Sequence, residues 1–259
     1  MINNDTPPIA IVGAGPGDVE LITIKGRRLL DEADCIVFAG SLVNKKLLDG
    51  CRADIYDSQG MNLDEIIEVL SNAWNRGKRV VRLHTGDPSI FGAIKEQMQQ
   101  LDALQIPYSV VPGVSSAFGA AASLKAELTL PEVAQTVIIT RQEGRTPVPE
   151  FEKLRLLASH QTTMLIFLSV SMIEKVVQEL IAGGYPQDTP VAIVEKATWE
   201  DETILLGSLQ TIAAQVEKAG IRKTALICVG KVFAGTDLEA VSKLYDRSFS
   251  HGTREAKTN

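Results

Sequence analysis

The stretch IAIVGAGPGDVELITIKG, residues 9–26, decides the fold. Ile9 to Val12 form a short apolar run that enters a glycine cluster, Gly13, Gly15 and Gly17, and a helical pattern follows. Strand, glycine turn and helix in that order open an α/β domain. The glycines imitate the dinucleotide fingerprint Gly-x-Gly-x-x-Gly, but the third slot holds Asp18 and Pro16 sits inside the loop. Asp34 lies at about the spacing of the ribose-binding acid, yet it precedes the second strand. That acid belongs at the strand's far end, where Ala39-Gly40-Ser41 stands. The loop lacks Gly-Lys-Ser/Thr and is no P-loop. Bound NAD is therefore not expected.

Outward from this stretch the alternation continues. Strands are expected at Pro8–Gly13, Cys35–Phe38, Ala53–Tyr56, Val80–His84 and Tyr108–Val111. A second series follows at Thr136–Thr140, Thr163–Leu168, Val191–Val194, Thr203–Leu206 and Ala225–Val229. The clearest helix is Asn62–Arg76, with Leu63, Ile66, Ile67, Leu70 and Trp74 on one face, Asn62 and Glu65 as cap and return partner, and Gly77 as terminator. Ser171 to Glu174 reads as a second capping box, and Gly183-Gly184 closes its helix. Alternating strands and helices predict mostly parallel sheets, and two series predict two α/β domains. We place them at residues 1–113 and 114–234, with a polar tail at 235–259 anchored at Leu244-Tyr245. The join lies in Pro112–Leu130, which holds an alanine-rich helix.

The 259 residues are 45% hydrophobic, enough for a sizeable core. A net charge of −6 argues against general nucleic-acid binding, while leaving room for an anionic small ligand met by a few local cations. Cys35, Cys51 and Cys228 have no metal-ligand or paired spacing, and no metal is expected; Cys35 and Cys228 read as small core residues. No apolar stretch reaches membrane-spanning length and no leader pattern precedes the first strand, so a soluble, cytoplasmic protein is expected.

Ligands of open α/β sheets collect beyond the carboxyl ends of strands. Four small-residue loops stand there: Gly13–Asp18, Thr85–Pro88, Pro112–Ser116 and Lys196–Thr198. Each has a bland reading. Asp87 and Pro88 make good helix punctuation, Pro112–Ser116 a turn with a serine cap, and Asp18 a cap of its own. Together they are expected to leave backbone N–H and C=O groups free to line a cleft.

Three of these loops, with their flanks, resemble a known family. Gly13–Asp18 followed by Glu20–Gly26, Val81–Gly92 and Val110–Ser116 are similar, in order, to the motifs of the tetrapyrrole methylases, over about Ile9 to Val232. Ala39–Val43, Leu128–Glu132, Ile138–Pro149, Lys196–Trp199 and Gly220–Lys223 resemble the branch that methylates precorrin-4 at ring carbon 11. The tail, Ser242–Asp246 with His251-Gly252, is similar to the anaerobic, cobalt-dependent members. The resemblance implies two α/β domains with a cleft between them, a homodimer, S-adenosylmethionine as methyl donor with S-adenosylhomocysteine as product, and a corrin precursor as acceptor on the route to cobalamin. By position it implies a cofactor site of Pro16, Thr85, Gly86, Asp87, Ile90, Ser115, Ser116, Leu168 and Ala197. The sisters that methylate uroporphyrinogen III carry an aspartate after the second strand and a lysine near the end of the third; here Gly40 and Asp57 stand there.

No Ser-His-Asp arrangement or histidine cluster is present, and no general base stands out. His84, at a strand end, reads as a substrate contact or as a structural histidine; His160 precedes a strand. Arg141 and Arg145 read as partners of the acceptor's carboxylates or as solvated charge, with Lys196 a weaker candidate. Trp199 lines the cleft or covers its edge.

Overall fold

A computed structural model describes residues 6–235, 247–250 and 252–255. The anchor expected at Leu244-Tyr245, the similar run Ser242–Asp246 and His251 lie outside the described residues. The described residues fall into two compact units. One comprises Met1–Gly119 with Thr198–Asp201, the other Ala120–Ala197 with Glu202–Asn259.

The first unit is built on β1 (Ile9–Gly13), β2 (Cys35–Phe38), β3 (Asp54–Asp57), β4 (Val80–His84) and β5 (Tyr108–Val111). They form one sheet in the order β3-β2-β4-β1-β5, with every pairing parallel. Both faces are covered, which explains the apolar runs of β1 and β2; in β4 the run is interrupted by Arg82 and His84, both buried. Along β2 the residues alternate between faces: Cys35 and Val37 pack in a cluster with Ile66, Leu70 and Trp74 of α2 (Leu63–Asn75), and Ile36 and Phe38 in a cluster with Leu30 of α1 (Ile24–Asp31). The expected capping box of α2 is complete: Asn62 Oδ1 accepts from the Glu65 N–H at 3.0 Å, and Glu65 Oε2 accepts from the Asn62 N–H at 2.8 Å. α3 (Lys95–Ala103) starts well after Pro88, so Asp87-Pro88 opens a turn rather than a helix. α4 (Ser116–Ser123) is the alanine-rich helix.

The second unit carries β6 (Val137–Arg141), β7 (Thr163–Phe167), β8 (Pro190–Glu195), β9 (Thr203–Ser208) and β10 (Ala225–Val229) in the order β6-β7-β10-β8-β9. Over both sheets parallel pairings predominate, as the alternation predicts, but this sheet is mixed. Only β6-β7 is parallel; β7-β10, β10-β8 and β8-β9 are antiparallel. No helix separates β8 from β9, and a connection this short returns the chain only in the opposite direction. Met164, Ile166, Ile193, Ile227 and Val229 form a core with α5 (Leu154–Ala158), α6 (Ile173–Ala182) and α7 (Ile212–Ala219). The capping box expected at Ser171–Glu174 is absent. A 3₁₀ turn over Val170–Met172 feeds α6, whose N-cap is Met172 without a side-chain hydrogen bond. Gly183 does cap the other end. Cys35 and Cys228 are buried, and burial pushes their thiols up to about 11 and about 12.

Candidate functional site

The three motif loops of the first unit follow β1, β4 and β5, and β1 lies between the other two. Because all three strands run in one direction, their carboxyl ends and loops meet on one edge. The contact is backbone against backbone. The Ala14 N–H donates to the His84 carbonyl at 2.7 Å, and Gly15 and Gly86 exchange N–H···O bonds of 3.3 and 2.8 Å. A Cβ on Gly113 would lie 2.2 Å from the Gly86 oxygen, and one on Gly13 would lie 2.6 Å from both the Gly113 nitrogen and the Gly86 oxygen. Real side chains do not approach so closely, so glycine is required at both places.

Asp87 fastens this edge. One carboxylate oxygen accepts from the Ser89 N–H at 2.8 Å and from the Ser89 hydroxyl; the other accepts from the Gly113 N–H at 3.0 Å. Partial burial raises its pKa, but the bonds from Ser89 and Gly113 outweigh that and hold the carboxyl below its ordinary range. Asp87 is thus an ionised clasp between the loops after β4 and β5. Ser115 is buried, and its hydroxyl accepts from the Ala117 N–H at 3.3 Å at the start of α4. Thr85 and Ile90 are half-buried on the same loop, and Ser116 opens α4.

The first loop corrects one expectation: its backbone groups are largely occupied. Trp199 Nε1 donates to the Pro16 carbonyl at 2.9 Å, Asn44 Nδ2 donates to the Gly17 carbonyl at 2.9 Å, and the Asp18 N–H donates to Thr198 Oγ1 at 3.0 Å. With Ala14 and Gly15 also paired, the loop has no row of amides to grip a phosphate. The sequence offered no local sign of this, because Thr198 and Trp199 stand 180 or more positions away. Trp199 therefore braces the first loop.

His84, which the sequence leaves open between a substrate contact and a structural histidine, is 4% exposed. Burial, reinforced by the Arg82 guanidinium and opposed by Gln97, pushes its imidazole down to about 3, and Nε2 has no hydrogen-bond partner. Arg82, itself buried, donates from Nε to Gln97 Oε1 at 3.0 Å and from Nη1 to the Val37 carbonyl at 3.2 Å. Gly40 turns at φ +59° beside Asp57, whose carboxylate caps the next turn through the Gln59 N–H and lies 3.6 Å from Lys45 Nζ.

In the second unit, Leu168 follows β7 and Lys196 and Ala197 follow β8. Leu168 and Lys196 adopt left-handed backbone with φ of +54° and +50°, and the Leu168 side chain is 68% exposed. Ala197 is buried. The Arg141 guanidinium is committed to its own loop, donating to the Thr146 and Pro147 carbonyls at 3.2 and 2.7 Å, while Arg145 is exposed. Among the described residues no group of three His, Cys, Asp or Glu side chains is placed to hold a metal, and no helix is long and apolar enough to cross a membrane.

Comparison with known proteins accords with this geometry. Residues 8–213 match the family model of the tetrapyrrole (corrin/porphyrin) methylases. The chain is 62% identical over 250 residues to the cobalt-precorrin-4 C(11)-methyltransferase of Methanocaldococcus jannaschii, covering 96% of each chain. It superposes with a TM-score of 0.85 and 47% identity on the X-ray structure of a cobalamin biosynthetic enzyme, cobalt-precorrin-4 methyltransferase, covering 87% of this chain and 95% of that one. A uroporphyrin-III C-methyltransferase from Thermus thermophilus, solved with S-adenosylhomocysteine, gives a TM-score of 0.75 at 28% identity, covering 89% of this chain and 100% of that one. The chain belongs to the tetrapyrrole methylases.

Proposed function

We propose that the protein transfers a methyl group from S-adenosylmethionine to ring carbon 11 of cobalt-precorrin-4, in the making of cobalamin. The observation that carries this reading is the 62% identity, over 96% of both chains, to an enzyme of that name. The loop chemistry fits the donor. Gly13–Asp18, Thr85–Gly92 and Pro112–Ser116 contain no lysine or arginine, and the amides of Ala14, Gly15 and Asp18 are already bonded. Such an edge suits a ligand without phosphate. The Asp87 carboxylate, kept ionised, adds a negative field that favours a cationic sulfonium over an anion.

The residues proposed to hold the donor are Pro16, Thr85, Gly86, Asp87, Ile90, Ser115 and Ser116 of the first unit and Leu168 and Ala197 of the second. The carboxylate of Asp87 acts through the loops it joins, since its oxygens accept from Ser89 and Gly113. A sulfonium supplies a methyl group already activated for displacement by an electron-rich ring carbon. The chain's part is to align the two and keep water out, and a strong acid–base pair is not required. The buried, neutral His84 agrees with that division of labour. Arg145 is exposed and available to an acceptor carboxylate; Arg141 contributes by shaping the loop that presents it. Lys196 is a further proposed carboxylate partner. A homodimer and a cytoplasmic setting complete the proposal, the first checked by sedimentation.

Incubation with S-adenosylmethionine and cobalt-precorrin-4 should add one methyl to the acceptor, placed at carbon 11 by NMR, with S-adenosylhomocysteine formed in equal amount. A parallel reaction with metal-free precorrin-4 tests the need for cobalt. A folded protein that transfers no methyl to either acceptor, or that copurifies with NAD, overturns the reading.

A further inference from the structure

We infer that Thr198 and Trp199 are positioning residues that set the shape of the Pro16–Asp18 loop and, through it, the affinity for the methyl donor. The inference rests on the donor reading above. It starts from an outlier. Thr198 is β-branched yet sits at φ +67°, a conformation that costs such a residue free energy and survives only when its surroundings impose it. The strained backbone aims Oγ1 at the Asp18 N–H, 3.0 Å away. The next residue completes the grip, with Trp199 Nε1 on the Pro16 carbonyl at 2.9 Å.

Shape agrees with hydrogen bonding. A Cβ on Gly17 would lie 2.1 Å from Trp199 Cδ1, so glycine at 17 is the space into which the indole fits. A Cβ on Gly119 of α4 would stand 3.0 Å from Pro16 Cγ and 3.3 Å from Thr198 Cγ2, so the proline ring and the threonine methyl lie side by side against that helix. Asn44 holds the Gly17 carbonyl at 2.9 Å, and the Lys46–Glu200 ion pair extends the strap outward. Pro16, Gly17 and Asp18 are thus each held by a side chain, from Trp199, Asn44 and Thr198 respectively. Thr198 directly follows Ala197, itself proposed to meet the donor, so one short segment joins two parts of the proposed donor site.

The chain has two tryptophans, which makes the strap observable. Trp74 is buried in the α2 core, so in Trp74→Phe the emission reports Trp199 alone. Titrating that variant with S-adenosylhomocysteine should change its emission. Thr198→Val and Trp199→Phe should each weaken S-adenosylhomocysteine binding about tenfold and raise KM for the donor more than they lower kcat, the scale of one lost hydrogen bond in a partly buried place. Thr198→Ser should restore affinity. Thr198→Gly relieves the strained backbone, so it should fold at least as well while still binding weakly. If the wild type binds S-adenosylhomocysteine and the Val, Phe and Gly variants bind it equally well, the inference is overturned and the strap is only a brace. If the folded wild type does not bind it, the donor reading falls and this inference with it.

Discussion

In the first unit the loops after β1 and β4 turn on Gly15 and Gly86, at φ +81° and +58°; in the second, the loops after β7 and β8 turn on Leu168 and Lys196, at φ +54° and +50°. Both units place left-handed backbone at strand ends; at these four loops the first unit uses the residue that adopts it freely and the second does not, although Gly230 after β10 does. The first unit converges three backbones on one edge, and side chains there would collide. The second keeps its side chains, at a cost of about 1 kcal/mol for each strained residue. For Leu168 that cost is not repaid by burial, since the side chain is 68% exposed. A strained, exposed leucine is a poor choice for stability and a good one for meeting a ligand.

The contrast breaks first at Gly113. Gly113→Ala places a methyl 2.2 Å from the Gly86 oxygen and should cost about 3 kcal/mol or more, read as a fall in the urea midpoint. Gly86→Ala meets nothing nearer than 3.8 Å and carries only the conformational penalty of φ +58°, about 1 kcal/mol. Equal effects would mean that conformation, not contact, dictates the glycines of this edge.

A smaller effect comes from beneath the same edge, where His84 is buried, whereas His160 of the second unit is exposed. The folded-state value of His84, about 3, lies below its ordinary 6.5. Between those values the unfolded chain binds a proton that the native state refuses, so stability rises with pH across this window and falls as the medium is acidified. His84→Gln should remove that slope. The wild type should lose roughly 1–2 kcal/mol relative to the variant between pH 6.5 and 5, measured by denaturation at each pH. A pH-independent difference would show that the imidazole protonates freely.

The smallest change in stability belongs to the second unit. Leu168→Gly releases the strained backbone and should leave stability within about 1 kcal/mol of wild type while weakening S-adenosylhomocysteine binding. Calorimetric titration beside thermal unfolding separates the two, and unchanged binding would remove Leu168 from the proposed donor site.

Most strands were legible because they are compact apolar runs, β3 with its two aspartates being the exception; all ten expected runs overlap the observed strands. Their order was not legible. Nothing local in Ile9–Gly13 states that its neighbours are Val80–His84 and Tyr108–Val111, because pairing is decided by long-range burial. The same limit explains the braced first loop, whose partners at 198 and 199 leave no mark near residue 16. Local reading also misplaced two helix starts, at Asp87-Pro88 and Ser171, where a side chain suited to capping serves a turn or lies within a 3₁₀ segment. The donor residues were named by resemblance of motifs; what the structure adds is that Gly13, Gly86 and Gly113 touch, and that Asp87 holds two of the loops together.

The position of β1 between β4 and β5 also sets a timetable. Synthesis delivers β1 before both of its neighbours, which do not exist until residues 80–84 and 108–111 have followed. β2 and β3, by contrast, can pair with each other almost at once. In the nascent chain β1 therefore waits with both edges open and an apolar sequence, the condition under which strands find wrong partners. Interrupting translation before Tyr108 would leave the three-loop edge incomplete although its signature loop, Gly13–Asp18, had long been made.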